Sequence, residues 1–105
     1  MELEKALVDS LKTKYGPHLE MLDNGQVGLV VRPPKSHEWD AFLAMSMQED
    51  KRHLALKDLG RACICHPDRD AVGKILEQFP ALTLEAANVA SEMARGENEV
   101  VRKKL

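Results

Sequence analysis

The fold is decided by the stretch from Arg61 to Leu82, which reads RACICHPDRDAVGKILEQFPAL. Pro67 and Pro80 mark two corners in it, because proline lacks a backbone donor and disfavours a helical residue before it. Between the corners, apolar side chains recur at the three- and four-residue spacing of a helix face, namely Val72, Ile75, Leu76 and Phe79. The stretch therefore predicts the end of one helix, a corner with Pro67 at the first position of a short amphipathic helix, and a second corner before a last helix.

Helices are also predicted on either side of this stretch. The residues from about Glu49 to Cys65 predict the helix that leads into it, and Thr83 is placed to cap the last helix, which Gly96 ends. A further helix is predicted from Ser36, a suitable N-cap that is followed by acidic residues. The polar run at residues 48–52 is either a turn between two helices or a solvated part of one, and periodicity leaves both open.

The first third of the chain predicts a helix and then a β-hairpin. Apolar residues at helical spacing run from Glu2 to Tyr15 and stop at Gly16, which is followed by a proline. Two apolar stretches then flank Asn24 and Gly25, the dipeptide that most strongly favours a hairpin turn. The second strand is expected to end at two consecutive prolines, since neither can donate to a β-ladder.

These elements predict a single domain over residues 1–105, a size that can fold around one core. Its fold class is α+β: a small, mostly helical domain with an N-terminal helix at about 2–15, one β-hairpin at about 18–32 and about four further helices within 36–95. Residues 97–105 are predicted to form a loose basic tail.

Composition excludes several classes of protein. A formal net charge of -2 argues against a general nucleic-acid binder, which normally has a basic face. No apolar run approaches the roughly 18 residues of a membrane span, and the first residues are too acidic to open a signal peptide, so we expect a cytoplasmic protein. Two cysteines one residue apart cannot close a useful loop, which excludes a disulfide framework.

The cysteines and one histidine are the candidates for metal or thiol chemistry. Cys63, Cys65 and His66 carry ligands that zinc prefers, but a structural zinc site needs four and this run has no second pair. A cysteine nucleophile needs a base within reach, and neighbours in sequence such as Cys65 and His66 rarely face each other. We therefore expect no metal, no cofactor, no catalytic residue and no enzymatic activity, while a minor redox or metal role for the three stays open.

The remaining candidates concern binding surfaces. The last two helices could form a helix-turn-helix, but the second offers little that reads bases or phosphates, so nucleic-acid binding is not expected. Aromatic and methionine side chains are either core residues or anchors for a protein partner. The aromatic candidates for partner binding are Trp39 and Phe42.

The order of motifs from about Val27 to Gly96 is more informative than any single motif. A strand ends in VVRPP, a helix follows with Glu38, Trp39 and Phe42, and the segments ACICHP and FPAL precede a last helix. This order resembles the tail assembly chaperones of long-tailed bacteriophages and related prophages.

The resemblance implies a non-enzymatic role in the host cytoplasm. Such a protein binds the tape measure protein during assembly, keeps it soluble and helps to recruit tail tube subunits. The resemblance thus adds Met45, Met47 and Met93 as candidates for partner binding, because methionine adapts its shape to an apolar client. Two alternatives are a small nucleic-acid-binding regulator and a structural adaptor that stays in the phage particle. The oligomeric state, including a homo-oligomer, is left open by the sequence.

Overall fold

The computed structural model describes residues 3–96 and 100–105. Within those residues the chain forms five α-helices, one 3₁₀ turn and a three-stranded antiparallel sheet of order β1-β2-β3. The elements are α1 (Lys5–Tyr15), β1 (Glu20–Asp23), β2 (Gly28–Val31), α2 (Ser36–Ser46), the 3₁₀ turn (Glu49–Lys51), α3 (Arg52–Cys63), β3 (Ile64–His66), α4 (Arg69–Gln78) and α5 (Ala81–Arg95).

This architecture confirms the predicted α+β class, mostly helical with an N-terminal helix, a hairpin and four further helices. The polar run at residues 48–52 contains a turn, so α2 and α3 are separate helices. Of the predicted first helix and tail, Glu2 and residues 97–99 lie outside the described residues. Residues 100–105 are exposed and have no regular secondary structure.

The hairpin forms as Asn24 and Gly25 predict. Strands β1 and β2 are antiparallel, with Glu20 opposite Val31. Gly25 has a φ of +86°, which glycine adopts without steric cost, and the Asn24 side chain accepts hydrogen bonds from the backbone amides of the two residues after Gly25. The turn is therefore stabilised by its own residues.

The third strand is the main feature that the sequence did not predict. Ile64 pairs with Val31 and His66 with Val30, with an irregularity in the register between them. The prediction that helix α3 continues to Cys65 is wrong, because the helix ends at Cys63 and the next three residues extend the hairpin into a sheet. A strand of three residues is too short to show an alternating pattern.

Three predicted helix starts are shifted along the chain. Pro67 is not the first residue of α4, because the Asp68 carboxylate caps that helix by accepting a hydrogen bond from the Ala71 amide at 2.9 Å. Thr83 does not cap α5; it is buried in the first turn of a helix that begins at Ala81. Similarly, Ser36 is the first residue of α2 rather than its N-cap.

The core lies between the sheet and helices α3, α4 and α5. Trp39 and Phe42 of α2 are partly buried and pack against this core, and the centroids of their two rings are 5.0 Å apart. Such close packing of apolar groups removes them from water and supplies most of the folding free energy. The buried core residues are Leu29, Val31, Leu59, Cys63, Ile64, Val72, Leu76, Ala86 and Ala90.

Helices α3 and α5 cross closely because small residues line their contact. A Cβ atom on Gly60 would overlap the carbonyl oxygen of Thr83 and would lie 3.2 Å from the amide nitrogen of Ala87. Glycine inside a helix is less stable than alanine by about 1 kcal/mol, so its presence here reflects the short distance between the two backbones. The crossing holds α3, and with it the residues at the end of α3, in a fixed position.

Candidate functional site

The two cysteines and His66 lie at the corner where α3 passes into β3. Cys63 is fully buried, whereas Cys65 and His66 are half-buried, and both thiols are free. Burial raises the pKa of the Cys63 thiol to about 11 and also raises the pKa of Cys65. Because the thiolate is the reactive form, neither cysteine is activated as a nucleophile at neutral pH.

Metal ligands do not gather at this corner. Among the residues that the structure describes, no group of three or more histidine, cysteine, aspartate or glutamate side chains could hold a metal ion. In the same part of the chain, no helix combines the length and apolar character that crossing a membrane requires.

An ion pair between Arg32 and Glu38 lies beside this corner. Both nitrogens at the end of the Arg32 side chain donate to the Glu38 carboxylate, one to each oxygen, at 2.8 Å. The side chains are only 12% and 16% exposed, so the pair is shielded from water. This two-point geometry is the one that arginine forms best with a carboxylate.

The ion pair joins three elements. Arg32 follows β2, and its side chain also donates to the carbonyl oxygens of Pro33 at 3.0 Å and Ala62 at 2.8 Å, the latter near the end of α3. Glu38 lies in the first turn of α2, where it accepts a hydrogen bond from the Lys35 amide at 2.8 Å. We call this arrangement the Arg32–Glu38 junction.

The junction changes the acidity of Glu38. Its hydrogen bonds from Arg32 are the main cause that lowers its pKa to about 2, and the Lys35 amide adds to the effect. The pKa of Arg32 is raised in turn by Glu38. From sequence, Glu38 was expected in the first turn of a helix and among the motifs of the resemblance, but its pairing with Arg32 was not predicted. The N-cap is Lys35 rather than a serine or threonine, so no capping-box signature marked Glu38.

An open cleft of about 590 Å³ lies beside the junction, and we call it the corner cleft. Tyr15 at the end of α1 contributes to its wall, as do Arg61 of α3, Cys65 of β3, and Arg69 and Val72 of α4. The cleft therefore combines positive charge with apolar surface. Sequence reasoning missed it because its residues come from four separate elements.

The five residues predicted to bind a partner occupy different environments. The structure brings Trp39 and Phe42 together, half-buried against the core, and Met93 of α5 also packs on the core. Met45 is half-buried, whereas the Met47 side chain is 81% exposed. Their role in binding stays a prediction.

Two exposed leucines, one in α2 and one in α3, were not singled out from the sequence. Leu43 is 43% exposed and lies one helical turn before Met47, and Leu54, in the first turn of α3, is 40% exposed. The Arg52 side chain donates to the carbonyl oxygen of Ser46 at 3.0 Å, which ties the start of α3 to the end of α2. Leu43 and Met47 lie on one face of α2, and we call these two residues the apolar strip.

Fold and site together define a small α+β domain with a three-stranded antiparallel sheet, an ion-paired junction and a basic cleft. Residues 11–104 match the family described as a domain of unknown function, DUF6848, and the chain belongs to that family. No curated protein matches the chain.

A similar fold is found in a solved structure described as that of the uncharacterised protein rbstp2171 from Bacillus stearothermophilus. The two chains are 23% identical, with 90% of this chain and 98% of the other covered and a TM-score of 0.68. At this identity the likeness shows the fold alone.

Proposed function

We propose that this protein is a non-enzymatic phage tail assembly chaperone that binds the tape measure protein and helps to recruit tail tube subunits. The order of sequence motifs suggests the particular role. The structural observation that carries it is the apolar strip, because a chaperone for a largely helical client needs apolar side chains that are accessible before the client arrives.

The strip continues a face of α2. Trp39, Leu43 and Met47 are four residues apart, so they share one side of the helix. Exposure rises along this face, from the half-buried Trp39 to Leu43 at 43% and Met47 at 81%. A helical client that packs against the exposed end would bury apolar area at both Leu43 and Met47.

Three motifs that carry the resemblance meet at the Arg32–Glu38 junction. Arg32 belongs to VVRPP, Glu38 belongs to the start of α2, and Ala62 opens ACICHP. These motifs therefore maintain the arrangement of β2, α2 and α3. In the proposed chaperone, the junction would hold α2 in place and the strip would contact the client.

Coexpression with the tape measure protein encoded by the same phage or prophage tests the proposal. We expect the wild-type chain to increase the soluble fraction of that client and to copurify with it. The double variant Leu43→Gln, Met47→Gln should lose most of this effect, because it makes the exposed end of α2 polar.

Leu84→Gln is a matched control, since Leu84 of α5 is 46% exposed and lies outside the strip. It should behave like the wild type. Equal insolubility of the client with and without this protein would contradict the proposal, as would equal losses for the strip variant and the control.

A structural adaptor would stay in the finished phage particle, whereas an assembly chaperone would not. Mass spectrometry of purified phage particles should detect an adaptor in the same amount in every particle, whereas an assembly chaperone should be missing. Detection of this chain as a stoichiometric component would therefore replace the chaperone proposal.

A further inference from the structure

We propose that the corner cleft binds an acidic peptide segment. In this proposal Arg61 and Arg69 bind a carboxylate of the peptide, and the apolar residues that line the cleft contact a neighbouring side chain of the peptide. The cleft lies at the end of α3 that is distant from the apolar strip. The proposal does not rest on the proposed function.

Arg32 lines the cleft but is already occupied. Its terminal nitrogens donate to both Glu38 oxygens and to two carbonyl oxygens, so its charge is matched and its donors there are used. Arg61 and Arg69 are different. Both are exposed, and within residues 3–96 and 100–105 neither side chain takes part in a hydrogen bond or an ion pair.

The two available guanidinium groups lie on the same side of α4. A terminal nitrogen of Arg61 is 3.9 Å from the position that a Cβ atom on Gly73 would occupy. Gly73 and Arg69 are four residues apart and thus share one face of that helix. An anion bound between the two groups would offset the repulsion of their like charges.

The composition of the cleft favours a carboxylate on a peptide over a free phosphate. Asp68 also lines the cleft, and its negative charge disfavours a dianion more than a single carboxylate. Tyr15, Pro67 and Val72 add apolar surface that a small inorganic ion would leave unused. A volume of about 590 Å³ suits a peptide segment of a few residues. Guanidinium groups form hydrogen bonds of defined geometry with carboxylates, often two at once.

Backbone amide chemical shifts of the nitrogen-15-labelled full chain provide the test. The probe is the peptide acetyl-Leu-Glu-Leu-Glu-Leu-amide, and the comparison peptide has glutamine in place of both glutamates. We expect shift changes at Arg61, Cys65 and residues 68–72 with the acidic peptide. The glutamine peptide should cause no changes there at the same concentration.

The variant Arg61→Gln, Arg69→Gln should bind the acidic peptide at least about tenfold more weakly, because hydrogen bonds to charged groups are among the strongest in proteins. Both residues are exposed, so the variant should keep the wild-type spectrum elsewhere. The charge-reversed variant Arg61→Glu, Arg69→Glu should instead bind the peptide with lysine in place of both glutamates.

Lys51→Gln, Lys103→Gln is the matched control, since it removes the same charge from two exposed residues outside the cleft. Its affinity should stay within about twofold of the wild type, because long-range contributions of exposed charges are largely screened. An equal loss in this control would overturn the proposal, as would equal binding of the glutamine peptide. Tighter binding of inorganic phosphate than of the acidic peptide would define a simple anion site and would also overturn it.

Discussion

Two of the contacts that hold helix α3 in place have opposite chemistry. The first contact is with α5, where Gly60 faces a helix whose buried residues include Ala86, Ala87 and Ala90, and this contact depends on shape. The second contact is at the C-terminal end of α3, where the Ala62 carbonyl oxygen accepts a hydrogen bond from the Arg32 side chain. Because Arg32 is ion-paired with Glu38, this contact depends on charge. The first contact should be insensitive to pH and the second should weaken in acid, so the two can be separated by experiment.

The largest effect is expected for Gly60→Ala. The added methyl group would overlap the Thr83 carbonyl oxygen, and a backbone atom cannot move aside as a flexible side chain can. We expect a loss of about 3 kcal/mol in the free energy of unfolding, despite the better helix propensity of alanine. Urea unfolding followed by circular dichroism measures it.

Gly73→Ala is the control for that substitution. Gly73 also lies inside a helix, but a Cβ atom there would only touch the Arg61 side chain at an ordinary distance of 3.9 Å. This variant should be more stable than the wild type by about 0.5–1 kcal/mol. Equal stability of the two alanine variants would show that the α3–α5 crossing is looser than described.

The second effect is expected for Arg32→Met. This change leaves the Glu38 carboxylate shielded from water without its partner and removes a donor from the Pro33 and Ala62 carbonyls. We expect a loss of about 2 kcal/mol at neutral pH, less than for a fully buried pair. The double variant Arg32→Met, Glu38→Leu should lose less than the sum of the two single variants. Additive losses would mean that the ion pair itself contributes little.

The pH dependence of stability gives a third, smaller effect. The pKa of Glu38 is lowered from its ordinary value of 4.5 to about 2, so its contribution is complete above about pH 4.5 and is lost as the pH falls toward 2. We expect the wild type to lose roughly 1–2 kcal/mol more than Glu38→Gln across this window. Thermal unfolding of both proteins between pH 7 and pH 2.5 measures the difference, and parallel curves would contradict the assignment.

The smallest effect is expected at the C-terminal end of α2. Leu43→Gln, Met47→Gln changes only exposed side chains, so the free energy of unfolding should stay within about 0.5 kcal/mol of the wild type. Urea unfolding measures this as well. A loss above about 1 kcal/mol would mean that the strip packs against the domain and is not free for a partner.

The features predicted correctly from sequence depend on local chemistry. Gly16 ends α1 and Gly96 ends α5 with positive φ angles, as expected of glycine at a helix end. The apolar face of α4 was predicted from the helical spacing of residues such as Val72 and Leu76. Both of these residues are buried in the structure. In each case the signal lies within a few residues.

The features that were missed depend on distant partners. Ile64–His66 form a strand only because the edge of β2 is available to pair with Ile64 and His66. Thr83 is a good capping residue by type, yet α5 starts two residues earlier and buries it against Gly60 of α3. The cleft could not be predicted either, since Arg61 and Arg69 belong to different helices whose relative placement no local pattern encodes.

The close crossing at Gly60 has a consequence for recognising related proteins. Any side chain at this position would push α5 away from α3, so members of the family that keep the same crossing should keep glycine there and small residues opposite it. This glycine and the small residues facing it in the last helix are then expected to persist in relatives in which the rest of the sequence has diverged.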